Sequence, residues 1–501
     1  MSFALSKTRY CNAVQCPKML WLQKHKPEEF DDSVMNRSVL TAGNEVGDLA
    51  MGLFGAFTEV PFSNDLNDML RDTQKLIDAG TPVITEASFS YDGCFCSVDI
   101  LKNLGGGRVE IYEVKSSTSV HEIYKHDTAY QYYVLRKLGY EVQRVCLVHL
   151  NRHYVRTGEL DLQQLFEVAE LTDFAAGSFG QTAQHIRSLR AYMEYETEQE
   201  CEIGEHCSSP CSCGFWSHCT AGLPSPNIFD VAGVQSRTKW KNFRRGIVSF
   251  PDILAAKAVN ASAMMQVEHE LTDLPDRIDR AAIADAMDAL SYPLYFLDFE
   301  SFDPAVPPYD NCRPFQQIVF QYSLHFIEQE GGALQHREFL AMPGSDPRRA
   351  VAEQLCRDIP LNVCTTAYNK SFEQTRIREL AGLFPDLSAH LMNIHDNIRD
   401  LMVPFQKKWY YTRAMQGSYS IKYVLPALFP NDPSLDYHSL EGVHNGAEAS
   451  DTFKRMALMS PEELEEYRGH LLRYCGLDTY AMVKVWQKLL EAAGRPLSTT
   501  Y

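Results

Sequence analysis

The segment Cys201-Glu-Ile-Gly-Glu-His-Cys207-Ser-Ser-Pro-Cys211-Ser-Cys213-Gly-Phe-Trp-Ser-His-Cys219 holds five of the chain's 14 cysteines. No other stretch narrows the fold as much. Thiols this crowded either ligate a metal, around which the backbone must close, or pack as free buried thiols. Disulfides are the lesser expectation. The N-terminal run MSFALSKTRYCNAVQCPKMLWLQKHK lacks the unbroken apolar core and small-residue cleavage site of a signal peptide, so a reducing, cytoplasmic location is expected. Two ligand schemes are open. A local Zn2+ site would use four of these thiolates. An iron–sulfur cluster would use three of them and one distant cysteine.

A chain of 501 residues with 45% hydrophobic residues can bury several cores, and roughly two to four domains are expected. Gly222-Leu-Pro-Ser-Pro226 is a linker signal. It separates residues 1–220 from a helical connector at 221–290 and a last part at 291–501. In the first part, Val83–Phe89, Phe95–Lys102, Val109–Lys115 and Val142–Leu150 are predicted strands, with a turn at Gly105-Gly106-Gly107. A helix is predicted at 127–138, and residues 160–198 are expected to be mostly helical. In the last part the expected strands are Tyr292–Glu300, Val319–Ile327, Arg337–Ala341 and Val363–Tyr368. Helices are expected at 370–380 and 461–493. Strands mixed with helices predict an α/β protein. No apolar run approaches the length of a membrane span.

The formal charge of −18 weighs against a general phosphate binder, which needs Lys and Arg. Bound divalent ions can offset carboxylate clusters, however, and a basic groove can be local. Lys239-Trp240-Lys241 through Arg244-Arg245, and Lys407-Lys408-Trp409, join basic and aromatic residues as single-strand platforms do. Each is more readily expected on a solvated helix face.

Two sets of acids carry chemistry. Asp298 and Glu300 end a short apolar strand, and residues two apart on a strand face the same way. Adjacent carboxylates repel unless a cation lies between them, which points to a hard divalent ion, Mg2+ or Mn2+. Two such ions about 4 Å apart stabilise both the attacking and the leaving oxygen of a phosphodiester. Downstream, Tyr368-Asn369-Lys-Ser-Phe372-Glu373 opens a helix with an acid after a buried strand. Tyr474-Cys-Gly-Leu-Asp478 sets a phenol and a carboxylate four apart on one helix face. In the first part, a hairpin turning at residues 104–107 brings Asp99 opposite the region of Glu113, and Glu113 shares a strand face with Lys115. Two acids can hold Mg2+ while a lysine positions or activates water.

The C-terminal segments resemble the three exonuclease motifs of the DnaQ-like (DEDD) superfamily on the ribonuclease-H-like fold, and Tyr-x-x-x-Asp resembles its DEDDy branch. The resemblance implies that Asp298, Glu300, Glu373 and Asp478 hold the metals and that Tyr474 orients the attacking water. It departs at Glu373, where the superfamily usually has Asp. Asp99, Glu113 and Lys115 resemble the PD-(D/E)xK nuclease motif on a restriction-endonuclease-like α/β domain. Gln131, in Asp127-Thr-Ala-Tyr-Gln131-Tyr-Tyr133, resembles the helical glutamine of RecB-like members. Glu86 is a further candidate ligand. Many RecB-like nucleases carry a histidine near Gly43-Asn-Glu45-Val-Gly47. This chain has none there; Glu45 is a candidate substitute, and a packing role for Gly43 and Gly47 is the stronger expectation.

RecB-like members with an iron–sulfur cluster carry one cysteine before the nuclease core and three after it. That pattern implies a 4Fe–4S cluster on Cys16, Cys207, Cys213 and Cys219, with Cys11 and Cys211 as spares and Zn2+ as the alternative. The whole chain resembles a bacterial group that joins a RecB-like, cysteine-stapled domain to a ribonuclease-H-like exonuclease domain. The implied activity is that of a metal-dependent nuclease, an exonuclease on single-stranded or end-containing DNA. The alternatives are an RNase, or a non-catalytic nucleic-acid-binding module with a structural cluster. A helicase or other protein partner is not legible.

Overall fold

Period-two burial sets the first sheet. Along Cys94–Gly105, residues Cys94, Cys96, Val98 and Ile100 are buried, while Phe95, Ser97 and Asp99 between them are partly exposed, as a pleated strand requires. The computed structural model describes residues 5–34 and 37–495. They are of mixed α/β class, with parallel and antiparallel pairing. The chain divides into two compact units. One is residues 1–222 with Pro304–Gln316; the other is Leu223–Asp303 with residues 317–501.

Among its described residues the first unit forms a sheet of seven strands: β1 (Leu5–Ser6), β2 (Thr58–Glu59), β3 (Val83–Tyr91), β4 (Cys94–Gly105), β5 (Arg108–Lys115), β6 (Glu141–Leu150) and β7 (Phe166–Glu170). Their order is β2-β3-β4-β5-β6-β7, with β1 also on β4. Gly106 and Gly107 turn the β4–β5 hairpin with φ of 63° and 75°, a left-handed backbone that suits glycine. Ile100 pairs with Tyr112, so Asp99 and Glu113 fall on facing stretches. β1 pairs in parallel with Cys94 and Phe95, the end of β4 that β5 does not reach.

The helices used below are α1 (Lys7–Gln15), α2 (Pro17–His25), α3 (Arg37–Met51), α4 (Leu66–Asp78) and α5 (Glu122–Lys137). Ser6 caps α1 by accepting from the Arg9 N–H. β5 and β6 are parallel, so the chain must cross over between them, and α5 is that crossover. Its Ala129, Tyr130, Tyr133 and Val134 are buried. Tyr10 of α1 stacks on Tyr130 at 4.6 Å. The mostly helical stretch expected at 160–198 contains a strand, since β7 pairs antiparallel with β6 at the sheet edge. Five residues, Phe-Glu-Val-Ala-Glu, fit either period, and edge pairing decides.

In the second unit β8 (Arg277–Ile278) pairs with β14 (Tyr410–Tyr411). β9 (Leu294–Phe302), β10 (Ile318–Ile327), β11 (Gln335–Leu340), β12 (Cys364–Ala367) and β13 (Ile398–Asp400) form a sheet of order β11-β10-β9-β12-β13. β9 is central, antiparallel to β10 and parallel to β12. The C-terminal helix Pro461–Ala492 starts with a capping box between Ser460 and Glu463. It lies on this sheet through Trp486 against Phe296, 5.6 Å between rings. Gln321 also donates to Leu471 O at 2.8 Å. The expected connector is helical, with helices Ser236–Phe243, Phe250–Ala256, Ala261–Leu271 and Arg280–Asp288, and these residues belong to the second unit. Neither basic run offers its aromatic as a free platform: Trp409 is half-buried against the second unit's core. Trp240 is buried against Phe229 and Phe243, and Lys408 is buried, donating to Gly417 O. Among the described residues, no helix is long and apolar enough to cross a membrane.

Candidate functional sites

β9 delivers Asp298 and Glu300, and the C-terminal helix delivers Tyr474, Cys475 and Asp478. Ligand atoms of Asp298, Glu300 and Cys475 all lie within 4.8 Å of one another. Glu373 arrives from the first turn of helix Ser371–Leu383. The turn before it holds Asn369 at φ 70°. Asp400 fixes that turn by accepting from the Asn369 and Lys370 N–H groups at 3.0 and 3.2 Å. Glu373 is 3% exposed, and its Oε2 is buried without a hydrogen-bond partner. All four predicted acids are close enough to repel one another. Burial first, then Asp478, Glu300 and Glu373, holds the Asp298 carboxyl far above the ordinary carboxylate range. Burial, Asp478 and Glu373 do the same to Glu300. Burial lifts Asp478 to about 7 against the pull of the Tyr437 and Tyr474 hydroxyls, and it lifts Glu373 to about 8.

Tyr437 was not among the predicted residues. Its hydroxyl donates to Asp478 Oδ1 at 2.6 Å, and it comes from a single short turn, Tyr437–Ser439, in a loop with no periodic signal. Tyr437 and Tyr474 also line a cavity of about 1060 Å3 whose wall includes His444, Asn445, Glu448 and Asp478. Among the described residues no Lys, Arg or His forms an ion pair with Asp298, Glu300, Glu373 or Asp478. Arg376 and Lys422 act on Glu373 and Asp478 only through longer-range attraction. Two buried carboxylates, Glu300 and Glu373, beside two half-buried ones, Asp298 and Asp478, are costly without a paired cation. The unpartnered Glu373 oxygen and the mutually facing acids suit Mg2+ or Mn2+.

The first unit brings Asp99, Glu113, Lys115 and Gln131 together. Lys115 Nζ lies 2.6 Å from Glu113 Oε1 and 2.8 Å from Asp127 Oδ2. Gln131 Nε2 donates to Glu113 Oε2 at 2.6 Å and to Asp127 Oδ1 at 3.0 Å. Asp127 and Gln131 reach inward because they stand one turn apart on α5. Asp99 Oδ2 accepts from the Val114 N–H at 2.6 Å. Glu86, opposite Asp99 at the one position where the otherwise constant β3–β4 register lacks a pair, has φ 56°, a strained backbone for a side chain of its size. Its carboxyl is raised by burial and feels Glu113 and Asp48. Asp48 lies on α3; Glu45, on the same helix, is exposed.

Lys7 carries no local signal in the sequence. Its ammonium donates to both Glu113 oxygens at 2.8 and 3.0 Å and lies 3.6 Å from Asp99 Oδ1. Burial opposes ionisation of Glu113, but Lys115 and Lys7 hold its carboxyl far below the ordinary range. Burial and Glu113 lift Asp99 to about 7.

The cysteines sort into two places. Cys16 Sγ is 3.9 Å from Cys201 Sγ, and ligand atoms of Cys16, Cys201 and His206 all lie within 4.8 Å. The thiols of Cys207, Cys213 and Cys219 are raised by burial, and each feels Cys16. Cys207, Cys213 and Cys219 thus lie in the neighbourhood of Cys16, but the compact group of ligand atoms among the described residues pairs Cys16 with Cys201 and His206. Cys211 points away, its Sγ on Gln15 Oε1 at 3.3 Å. Cys11 is raised by burial and then by Asp127, with Lys115, Glu113 and Lys7 also near, so it lies by the acid site. Lys18, 2.7 Å from Glu198, puts a positive charge beside Cys201 and Cys219.

Comparison with known proteins adds no activity. Residues 295–420 match a family model described as a domain of unknown function, DUF2779. The match contains Asp298, Glu300 and Glu373 and stops before Tyr474. An uncharacterized protein, UU173, of Ureaplasma parvum serovar 3 is 26% identical over 223 residues, covering 40% of this chain. The matched part is 32% of that relative's length.

Proposed function

We propose that this protein is a metal-dependent nuclease, an exonuclease that processes DNA ends at the site built from Asp298, Glu300, Glu373, Tyr474 and Asp478. The observation that carries the proposal is the set of four clustered carboxylates, Glu300 and Glu373 buried and Asp298 and Asp478 half-buried, with no ion-paired cation among the described residues. Bound Mg2+ or Mn2+ would supply the missing positive charge and offset charge developing on a phosphodiester. The four carboxylates would hold those ions, and the hydroxyls of Tyr437 and Tyr474 aim Asp478 and partly offset the burial that raises its carboxyl. The motif order of the DnaQ-like superfamily supports a ribonuclease-H-like domain around this site. In the first unit, Asp99, Glu113, Lys115 and Gln131 support a RecB-like, restriction-endonuclease-like domain with a second site.

Cys16, Cys207, Cys213 and Cys219 would hold a 4Fe–4S cluster that ties the chain before α2 to the chain after residue 200. Zn2+ is the second reading, favoured by one observation. The 3.9 Å between Cys16 and Cys201 is close to the edge of a tetrahedral site with Zn–S bonds of about 2.3 Å.

Matched single strands of DNA and RNA, 5′-labelled and incubated with Mn2+, test the activity. Progressive shortening of DNA from its 3′ end is expected, lost with EDTA and in Asp298→Ala. Faster shortening of RNA would make the enzyme an RNase. Binding without cleavage, unchanged in Asp298→Ala and Asp99→Ala, would leave a nucleic-acid-binding module. Iron and zinc content of protein purified without oxygen separates the two cluster schemes.

A further inference from the structure

The Lys7 ammonium occupies the ground between Asp99 and Glu113. It contacts both Glu113 oxygens at 2.8 and 3.0 Å, Ser97 O at 3.4 Å and Asp99 Oδ1 at 3.6 Å. Its position is built, not incidental. β1 is zipped onto β4 at Cys94 and Phe95, Tyr130 donates from α5 to Leu5 O, Ser6 caps α1, and Tyr10 stacks on Tyr130. Together these fix the first turn of α1 over the acids. Lys115 is a different charge in a different place, shared between Glu113 and Asp127.

A divalent ion bound by Asp99 and Glu113 would need oxygens at about 2.0–2.2 Å on the same side. An ammonium already hydrogen-bonded to those oxygens cannot remain beside it. We infer that Lys7 is a tethered competitor for the metal seat of the first unit, so that a divalent ion enters between Asp99 and Glu113 only as Lys7 leaves. The inference rests on the metal-site reading of these acids. The two acid sites should then fill at different metal concentrations: the second unit first, the first unit only when metal is abundant or α1 is displaced. Because α1 ends at Cys16, the thiol cluster and the Lys7 seat stand at opposite ends of one short helix.

The test uses the full chain carrying Asp298→Ala, Glu300→Ala, Glu373→Gln and Asp478→Ala, which removes the second unit's four candidate ligands and leaves the first unit's acids. Binding is read by the loss of the free Mn2+ electron-paramagnetic signal, with a further Asp99→Ala variant as control. Lys7→Met in this background should bind Mn2+ about tenfold or more tightly, within the usual range of coupled equilibria. A second measurement needs no substitution at Lys7. Acetylation of Lys7 by an N-hydroxysuccinimide ester, followed by mass spectrometry, should be slow without metal and several-fold faster with saturating Mn2+. Asp99-dependent binding of equal or lower affinity in Lys7→Met, together with Mn2+-independent acetylation, overturns the competition and leaves the metal site standing. No Asp99-dependent binding with or without Lys7 overturns the metal reading of this site and the competition with it.

Discussion

Both units of this chain bury clustered carboxylates, but they compensate them differently. In the second unit Asp298, Glu300, Glu373 and Asp478 face one another with no ion-paired lysine or arginine among the described residues, and all four are pushed toward their neutral forms. In the first unit Glu113 sits between two ammonium groups, Lys7 and Lys115, and is held ionised. Burial is similar, so burial does not set the difference. The internal cations do. A site without them is stable at neutral pH only if its acids stay protonated or a cation arrives from solution. A site that has them needs less from solution and gives up some freedom to bind it.

The largest expected effect tests the metal-demanding side. Asp298→Ala or Asp478→Ala should lower Mn2+-dependent shortening of end-labelled DNA by about a thousandfold or more, as losing a ligand that serves the transition state does. Lys115→Ala should leave that activity in place and remove a separate cleavage belonging to the first unit. If either change abolishes all cleavage, the two sites are not independent. A smaller effect should follow from Cys16→Ala. It removes a thiol that the other cluster cysteines converge on, so residues 1–222 should become sensitive to limited proteolysis while residues 317–495 stay resistant. Loss of resistance in both parts equally would deny the cysteines a role confined to the first unit. With iron–sulfur bound, an absorption shoulder at about 400 nm should disappear in the same variant.

Proton linkage sets Glu113 apart, while Asp99 of the first unit, lifted to about 7, shares the sign of the second unit's acids. In the second unit the folded-state pKa values of Asp478 and Glu373, about 7 and about 8, lie above those of the unfolded chain. The unfolded chain therefore releases protons first as pH rises, and metal-free stability should fall from about pH 4 to about pH 8. Mn2+ should reverse that fall. Glu113 behaves the other way. Its folded pKa lies below the unfolded one, so its contribution is present above the ordinary carboxylate range and is lost as pH falls toward the folded value. Melting curves at pH 5 and pH 8, with and without Mn2+, read the second unit, and a further comparison of pH 5 with about pH 3 reads Glu113. A metal-free protein whose second unit is equally stable at the two pH values would mean that its acids are not strained by burial.

The legible residues were those whose partners lie within one element or across one short turn. Asp298 and Glu300 are two apart on β9, Tyr474 and Asp478 are four apart on one helix, and Asp99 meets Glu113 across a glycine hairpin. Lys7 was illegible for the opposite reason. It stands 106 positions from Glu113, and its placement depends on β1, a strand of two residues too short to leave any periodicity. Tyr437 reaches Asp478 from an irregular loop, 41 positions away. Cys201 was visible in the crowded segment. Its preference for Cys16 over a neighbour in sequence is a long-range fact, 185 positions apart, that spacing cannot encode. The α/β class was legible, because it rests on local alternation and helical period. The membership of residues 223–290 in the second unit was not, because it depends on which core their apolar faces meet.

The smallest effect concerns Glu373, the one acid that departs from the superfamily pattern it resembles. Because its carboxyl is lifted to about 8, it is mostly protonated in metal-free protein at neutral pH. Glu373→Gln closely mimics that state, so metal-free melting at pH 7 should barely move. A change in Mn2+ affinity or cleavage in Glu373→Gln then reports ligation rather than folding. If its unpartnered Oε2 is a ligand, Glu373→Gln should cost about 10–100-fold in activity or metal affinity. Glu373→Asp, one methylene shorter at the start of a rigid helix, should cost less than about tenfold, because the charge is kept and only the reach is lost. Equal cleavage in wild type and Glu373→Gln would remove Glu373 from the metal set. Three acids would then bear the whole deficit of positive charge, and the contrast between the two units would narrow by one carboxylate.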